Sequence, residues 1–188
     1  MNGARTLKSD SNSSGGWYWP IPPWSPWYGI TTRCTILVVH SITSGSSWMM
    51  QLGCAYTSGW SSPYHALSFF AFSAYDYGQF GGSADAVNSY DVSGDPSYYN
   101  AGTCHAVTRE DTSVQFYRDG EAYGTVKTLA NNFTPDFSNR RPITMMNRSE
   151  VSPGDGYAGE CSVGLAWNRT LSPAEIRMVF LNPWQVFA

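Results

Sequence analysis

The chain has 188 residues and a formal net charge of −3, with 42% hydrophobic, 15% aromatic and 13% charged residues. The hydrophobic content is too high for a disordered chain, and the length suffices for one domain that buries ~70% of its unfolded surface. Because charges are few and no run of Lys or Arg occurs, the sequence does not favour a nucleic-acid partner, whose phosphates would need neutralising.

The first ten residues lack the apolar segment of a secretory signal. No window of the sequence approaches the ~18 consecutive apolar residues of a membrane span. We therefore expect a protein that stays in the cytoplasm in which it is synthesised and has no membrane partner.

A segment rich in tryptophan and proline comes next, with four of each in the twelve positions of residues 17–28. Dense proline is incompatible with a helix or a central strand, which predicts an extended arm over residues 1–33 ahead of a domain over residues 34–188. The favoured interpretation is that the arm covers the edge of its own domain. The alternatives are insertion into a neighbouring subunit or capsid surface, and stacking on a carbohydrate. Assembly through the arm would use its aromatic side chains, which are Trp17, Trp19, Trp24, Trp27 and Tyr28.

Three apolar stretches separated by Ser-, Gly- and Pro-rich turns predict strands at residues 35–41, 48–56 and 65–73. Strands at this spacing without intervening helices favour a β-sandwich. The three histidines lie one on each of three predicted strands, and we interpret them as hydrogen-bonded structural residues rather than ligands. They are His40, His65 and His105.

Residues 75–101 form the longest stretch without a strand pattern in the sequence, which predicts an irregular loop. Loops of this length in compact domains are commonly functional. A sugar site needs exposed aromatic rings beside polar groups. The residues here that could supply such a site are Tyr75, Tyr77, Tyr90, Asp91, Tyr98 and Tyr99. The favoured alternative is that these rings fill the ends of the sandwich or subunit interfaces.

The same region is the only acid-rich loop of the sequence. Calcium takes six to eight oxygen ligands, several of them from carboxylates that cluster in space. Asp91 and Asp95 are the candidates for such a site, and no other cofactor is expected.

A hairpin follows, with predicted strands at residues 103–109 and 113–118. The dipeptide Asp119-Gly120 predicts a two-residue type I′ turn, because both positions of that turn need positive φ. Val114, Phe116 and, on the returning strand, Val126 are expected to face the core. Residues 143–146 begin a further strand.

The C-terminal stretch predicts a strand that runs into a capped helix. Alternation predicts a strand with one buried face through Cys161, Val163, Leu165 and Trp167. The helix signals are an N-cap, a proline at the first helical position and a capping box, supplied by Ser172, Pro173 and Glu175. The spacing of three apolar residues predicts a face that docks on the core before Asn182-Pro183 ends the helix, and these are Ile176, Val179 and Phe180.

Four cysteines permit three full pairings, and none of their spacings is the Cys-x-x-Cys of a zinc site. We interpret them as buried thiols, since each lies in or beside an apolar strand pattern, with disulfides as the alternative. They are Cys34, Cys54, Cys104 and Cys161.

Two motifs resemble a known family. The order Tyr157-x-Gly159-x-Cys161, then Leu165-x-Trp167-Asn168-Arg169-x-Leu171-Ser172-x-x-Glu175-Ile176, resembles the last strand and terminal helix of laminin-G-like domains. Val107-Thr108-Arg109, then Val114-x-Phe116-Tyr117-x-Asp119-Gly120, resembles their central hairpin. The resemblance implies the concanavalin A-like lectin/glucanase fold. This is an all-β, two-sheet antiparallel β-sandwich, or jelly roll, here with one short C-terminal helix.

The related glucanases hydrolyse glycosidic bonds with two carboxylates on one face of a strand, as in Glu-x-Asp-x-Glu. This sequence contains no such triplet, and it has no serine-hydrolase elbow, zinc-protease motif or phosphate loop. We therefore expect a protein that is not an enzyme.

The closing residues 181–187 resemble the tail of laminin-G-like proteins encoded by bacteriophages. Together with a single domain without a catalytic set, the lack of an export signal and the excess of aromatic residues, this resemblance leads us to expect a non-enzymatic bacteriophage virion protein, most simply a capsid decoration or cement protein located in the virion. Its partners would be the major capsid protein or other virion subunits, and copies of itself in a homo-oligomer, with a trimer as the first expectation. Trp184 and Phe187 would join the assembly interface. The alternative is a carbohydrate-binding module, either a lectin or a host-glycan adhesin on a phage tail or fibre.

Overall fold

The computed structural model describes the backbone of residues 7–9, 17–19, 32–45, 49–54, 68–72, 77–80, 87–88, 104–130, 132, 143–145 and 157–187. Side chains are described for residues 32–40, 104–130, 132 and 160–186. Among these residues, no helix has the length and apolar character needed to cross a membrane.

The described residues form twelve strands followed by one α-helix and a 3₁₀ turn. The strands are β1 (Leu7–Ser9), β2 (Trp17–Trp19), β3 (Arg33–Gly45), β4 (Met49–Cys54), β5 (Ser68–Phe72), β6 (Tyr77–Phe80), β7 (Val87–Asn88), β8 (Cys104–Glu110), β9 (Ser113–Arg118), β10 (Glu121–Thr128), β11 (Ile143–Met145) and β12 (Tyr157–Trp167). The helical segments are α1 (Pro173–Leu181) and the 3₁₀ turn (Pro183–Phe187).

The strands form two six-stranded antiparallel sheets. Sheet A has the order β1-β12-β3-β8-β9-β10, and sheet B has the order β2-β11-β4-β5-β6-β7. The predicted two-sheet β-sandwich with one short C-terminal helix is confirmed. Residues 75–101, which the sequence predicted to be irregular, contribute strands β6 and β7 to sheet B. The prediction was therefore wrong for the residues of these two strands.

Two short strands lie within the predicted N-terminal arm. β1 pairs with β12 at the edge of sheet A, and β2 pairs with β11 at the edge of sheet B. Edge positions tolerate a neighbouring proline, because one side of an edge strand donates no ladder hydrogen bonds. The boundary between arm and domain at residue 33 stays a prediction.

Both faces of the central strands of sheet A, β3, β8 and β9, are buried, as expected of a sheet that lies between a helix and a second sheet. On the outer face, Leu37, Ala106 and Tyr117 pack with the helix residues Ile176 and Val179. On the inner face, buried side chains alternate with these along β3, β8 and β9, namely Cys34, Ile36, Val38, His40, His105, Val107, Arg109, Val114 and Phe116.

A bulge in β12 changes which face its residues occupy. Cys161 pairs with His40 and Val163 pairs with Val39, so two residues that alternation places together lie on opposite faces. The predicted single buried face was therefore wrong for Cys161, although its burial is confirmed. Cys34, Cys104 and Cys161 are all buried free thiols, and the side chain of Cys54 lies outside the described residues.

The β9–β10 hairpin forms as the sequence predicts, with φ of 49° at Asp119 and 83° at Gly120. Val114 and Phe116 are fully buried. Val126 is 59% exposed, and its predicted core position was wrong. The ladder shifts register between Tyr123 and Lys127, and Lys127 pairs with Val114. Val126 is the neighbour of Lys127 in the strand and therefore lies on the opposite face from Val114.

Helix α1 begins and ends at the predicted residues. The Ser172 backbone N–H donates to Glu175 Oε2 (2.8 Å), and the Glu175 backbone N–H donates to Ser172 Oγ (3.3 Å). This reciprocal pair is the predicted capping box, and it orients the chain as it leaves sheet A. Asn182 caps the C-terminus through its backbone N–H, which donates to the Met178 carbonyl (3.1 Å).

Candidate functional site

A cleft of about 470 Å³ opens on the outer face of sheet A, between the end of the sheet and the start of helix α1. Its walls come from β3, β8, β9 and the connection from β12 to α1. The lining residues are Arg33, Thr108, Glu110, Tyr117, Arg169, Thr170, Leu171, Ser172, Pro173 and Glu175. The volume falls within the ~300–1,000 Å³ of small-molecule sites.

One wall is a cross-strand ion pair. Arg33 and Glu110 are register partners on β3 and β8, and Arg33 NH2 lies 3.2 Å from Glu110 Oε1. Both side chains are exposed. The strand ends beneath them are joined because the Asp111 backbone N–H donates to the Thr32 carbonyl (2.8 Å) and Thr32 Oγ1 donates to Asp111 Oδ1 (2.9 Å).

The opposite wall is a second ion pair, at the helix N-terminus. Arg169 NH2 lies 2.8 Å from Glu175 Oε1. The hydrogen bond from Arg169, followed by the bonds from Ser172, lowers the pKa of Glu175 to about 2. The same contact raises the pKa of Arg169. Both groups therefore stay charged at neutral pH.

Threonine hydroxyls fix the connecting loop to the sheet. Thr35 Oγ1 donates to the Arg169 carbonyl (3.0 Å) and accepts from the Leu171 backbone N–H (2.9 Å). Thr170 Oγ1 donates to the Arg109 carbonyl (2.6 Å). These bonds hold Arg169 and Thr170 beside the sheet, so the cleft is anchored by β3 and β8.

The floor of the cleft is formed by two buried hydroxyl side chains on the outer face of sheet A. Thr108 and Tyr117 are each 4% exposed. Burial raises the pKa of Tyr117, while a side-chain hydrogen bond with Thr108 acts in the opposite direction. The phenol therefore remains protonated at neutral pH.

The cleft presents hydrogen-bond donors and acceptors side by side with little net charge. Two guanidinium groups face two carboxylates, and the remaining lining residues are hydroxyl-bearing or apolar. Such a surface suits a polar ligand that both donates and accepts hydrogen bonds.

A second polar cluster lies on the inner face of sheet A. His40 Nε2 and His105 Nδ1 are 2.7 Å apart, so one ring donates its proton to the other. Burial lowers the pKa of His40 to about 4, and the charge of Asp119 opposes this effect. The interpretation of these two histidines as hydrogen-bonded structural residues is confirmed. His65 lies outside the described residues.

The predicted calcium candidates, Asp91 and Asp95, also lie outside the described residues. Among the residues that are described, no group of three or more His, Cys, Asp or Glu is placed to hold a metal ion. Calcium binding stays a prediction.

The other predicted site residues are placed only in part. Of the sugar candidates, the backbone of Tyr77 lies on β6, and the rest fall outside the described residues, namely Tyr75, Tyr90, Asp91, Tyr98 and Tyr99. Of the assembly candidates, the backbones of Trp17 and Trp19 form β2, and that of Phe187 ends the 3₁₀ turn. Trp184 is 44% exposed, and the residues outside are Trp24, Trp27 and Tyr28. Their function stays a prediction.

Sequence reasoning missed the cleft. Arg33 and Glu110 lie far apart in the sequence, and only the pairing of β3 with β8 brings them together. A partial signal was present, because Arg169 lies in the short segment between a predicted strand and a capping box. A charged residue at that position lies close to the helix N-terminus, where Glu175 also lies.

The sequence matches no family model and no curated protein. The structure is similar to that of the CBM40 of the Ruminococcus gnavus IT-sialidase bound to α2,3-sialyllactose. The TM-score is 0.65 at 10% identity, and the match covers 94% of this chain and 98% of that chain. The same module bound to α2,6-sialyllactose gives a TM-score of 0.62 at 11% identity, covering 94% of this chain and 98% of that chain.

A longer protein also matches. The leech intramolecular trans-sialidase complexed with 2,7-anhydro-Neu5Ac gives a TM-score of 0.64 at 12% identity, covering 93% of this chain but 27% of that chain. At such identities the likeness establishes the fold. This chain has the β-sandwich fold of these modules and spans about a quarter of the trans-sialidase.

Proposed function

We propose that this chain is a carbohydrate-binding domain without catalytic activity of its own. The observation that carries the proposal is the match to CBM40 over nearly the whole length of both chains, 94% and 98%. Two solved structures of that module hold sialyllactose. The sandwich of the present chain accordingly has the size and architecture of a module that binds a glycan by itself.

The extent of the longer match supports binding rather than hydrolysis. The chain spans only 27% of the leech trans-sialidase, so the likeness leaves most of that enzyme unmatched. The absence of the paired-carboxylate motif from the sequence agrees with this proposal.

The test is binding of the full chain to an array of neutral and sialylated glycans, followed by calorimetry with lactose, α2,3-sialyllactose and α2,6-sialyllactose. We expect saturable binding to at least one glycan class without release of free sugar. Absence of binding to every glycan at millimolar concentration would overturn the proposal, and so would turnover of a bound glycan.

We infer a second role, in assembly, from an exposed apolar surface at the C-terminus. Met178 and Leu181 on helix α1 are 58% and 70% exposed, and Trp184 follows at 44%. This surface supports association of the chain with another protein or with copies of itself in a homo-oligomer. That the partners are capsid subunits of a virion is proposed from the sequence resemblance alone. Localisation in the virion and bacteriophage origin belong to the same proposal.

Light scattering tests the self-association part of this second role. We expect an oligomer whose mass falls when Trp184 is replaced by Ser, because the substitution removes apolar contact area. A chain that is monomeric at high micromolar concentration before and after the substitution would contradict it.

A further inference from the structure

We propose that the cleft between sheet A and helix α1 binds an uncharged saccharide through a pair of adjacent hydroxyl groups, using the ion pairs Arg33–Glu110 and Arg169–Glu175. The proposal rests on the proposed carbohydrate-binding function. It adds the place of binding and the chemical class of the ligand.

The geometry of the two ion pairs suits adjacent hydroxyls. In each pair a guanidinium nitrogen lies beside a carboxylate oxygen, at 3.2 Å for Arg33–Glu110 and 2.8 Å for Arg169–Glu175. A guanidinium only donates hydrogen bonds and an ionised carboxylate only accepts them, whereas a hydroxyl does both. Two neighbouring sugar hydroxyls can therefore accept from Arg33 and donate to Glu110, and Arg169 can donate to the same ligand from the opposite wall.

Each arginine retains the capacity to bind. A guanidinium has five N–H donors, and the closest contact of each one with its glutamate is made by NH2. The closest contact of Glu110 with Arg33 is made by Oε1. A hydroxyl ligand can therefore add to Arg33, Arg169 and Glu110, whereas Glu175 already accepts from Ser172 through Oε2 and contacts Arg169 through Oε1.

The charge of the cleft favours an uncharged ligand over a carboxylated sugar. Its charged lining residues are two arginines and two glutamates, which leaves no excess positive charge. A sugar carboxylate would compete with Glu110 and Glu175 for the guanidinium groups, and it would be repelled by the carboxylate that it displaced. The net charge of −3 on the whole chain adds to this repulsion.

The supports of the cleft are rigid enough to hold a ligand in one orientation. Thr35 and Thr170 bond the loop that carries Arg169 to the sheet, and Arg33 and Glu110 lie on paired strands. Leu171 and Pro173 supply an apolar part of the lining, against which the C–H face of a sugar ring can pack.

The experiment uses the full chain and titrates it by calorimetry with lactose, D-mannose and both sialyllactoses. The variant is Glu110→Gln, which removes one acceptor charge and leaves Arg33 without its partner while retaining the side-chain size. The matched control is Glu121→Gln. Glu121 pairs with Arg177 outside the cleft, so this variant removes the same charge from an equally exposed ion pair.

We expect an uncharged saccharide to bind, Glu110→Gln to weaken its binding about tenfold, and Glu121→Gln to leave it unchanged. In Glu110→Gln the affinity for the sialylated ligands should rise, because the guanidinium of Arg33 is no longer neutralised. This change of selectivity is a result that loss of folding would not produce, and circular dichroism of both variants confirms the fold.

Three results would overturn the inference. Equal saccharide binding by wild type and Glu110→Gln would place the site elsewhere, and binding of sialylated glycans alone would contradict the ligand class. Both results leave the carbohydrate-binding function intact. Failure to bind any glycan would overturn the inference together with the proposed function.

Discussion

The burial of His40 couples the stability of the protein to pH. Burial lowers the folded-state pKa of His40 from 6.5 to about 4, against the opposing charge of Asp119. Between these two pH values the unfolded chain binds more protons than the folded chain, so the free energy of unfolding falls as pH falls. Above pH 6.5 the neutral His40 costs the folded state nothing. Between pH 6.5 and pH 4 the free energy of unfolding falls by on the order of 3 kcal/mol.

Urea unfolding at a series of pH values measures this effect. In His40→Asn we expect the slope between pH 6.5 and 4 to flatten, whatever the substitution does to stability at neutral pH. Glu175→Gln is the control. The folded-state pKa of Glu175 is lowered from 4.5 to about 2, so its stabilisation is lost only as pH falls below 4.5. The slope between pH 6.5 and 4.5 should therefore be the same in Glu175→Gln as in the wild type. An unchanged slope in His40→Asn would contradict the assignment.

Gly120 lies in the β9–β10 turn and packs against helix α1. Both its backbone conformation and this close contact require a residue without a side chain. Its φ is 83°, and a Cβ there would lie 2.9 Å from Phe180 Cδ1 and 3.2 Å from the Arg177 Cα. We expect Gly120→Ala to lower the free energy of unfolding by about 2–4 kcal/mol, from backbone strain and displacement of the helix together.

Gly124 provides the matched control for this change. Its φ is also positive, at 67°, but the residue is exposed. Gly124→Ala should therefore lose only the strain contribution, ~1–2 kcal/mol. Equal losses in the two variants, measured by urea denaturation, would show that contact with the helix adds nothing.

At the scale of elements, helix α1 is held to sheet A by one apolar face. Ile176 is fully buried against Leu37 and Tyr117, whereas Met178 is 58% exposed. We expect Ile176→Ala to lower the free energy of unfolding by about 2–5 kcal/mol through loss of burial and creation of a cavity. Met178→Ala, on the same helix, should change it by less than about 0.5 kcal/mol when both variants are measured at a concentration where the chain is monomeric. A similar loss in both variants would contradict this docking orientation.

Elements whose signals are local could be predicted from the sequence. The hairpin at Asp119-Gly120 and the cap at Ser172 depend on residues within a few positions of each other, because turn and cap geometry is set by nearby backbone. The burial of Val114 and Phe116 followed from alternation along a single strand. The turn and the cap can form before more distant strands find their partners.

Features that depend on pairing between strands could not be predicted. The bulge near Ser162 reversed the expected orientation of Cys161, because one extra residue changes the face of every residue beyond it. Between Tyr123 and Lys127 the ladder has two extra residues on β10, and Lys127 instead of Val126 becomes the partner of Val114. The cleft was missed for a similar reason. Its first ion pair exists only because β3 lies next to β8, and periodicity in a single sequence does not specify which strands become neighbours.

At the scale of the whole molecule, sheet A is the layer that ties the chain together. Its strands come from both ends and the middle of the sequence, with β1, β12 and β3 adjacent. Helix α1 covers one face, and the other face is equally buried. Opening either face therefore requires disruption of a sheet that combines distant parts of the chain, which favours one cooperative unfolding transition.

The cysteines of sheet A test this cooperativity, because they sample both of its faces. Cys104 belongs to the cluster beneath helix α1, while Cys34 and Cys161 lie on the inner face. Burial raises the pKa of each of the three thiols to about 12. Since only the thiolate reacts, we expect iodoacetamide to modify at most one of the four cysteines in the native protein, namely Cys54.

In increasing urea, the modification of Cys34, Cys104 and Cys161 should rise together and follow the loss of the β-sheet circular dichroism signal. Mass spectrometry of the intact chain would then show a direct passage from at most one modification to four, and peptide mapping would identify the sites. Modification of Cys104 at a lower urea concentration than the other two would contradict a single transition. It would mean that helix α1 detaches while the inner face remains closed, because only the cover of the outer face separates Cys104 from solvent.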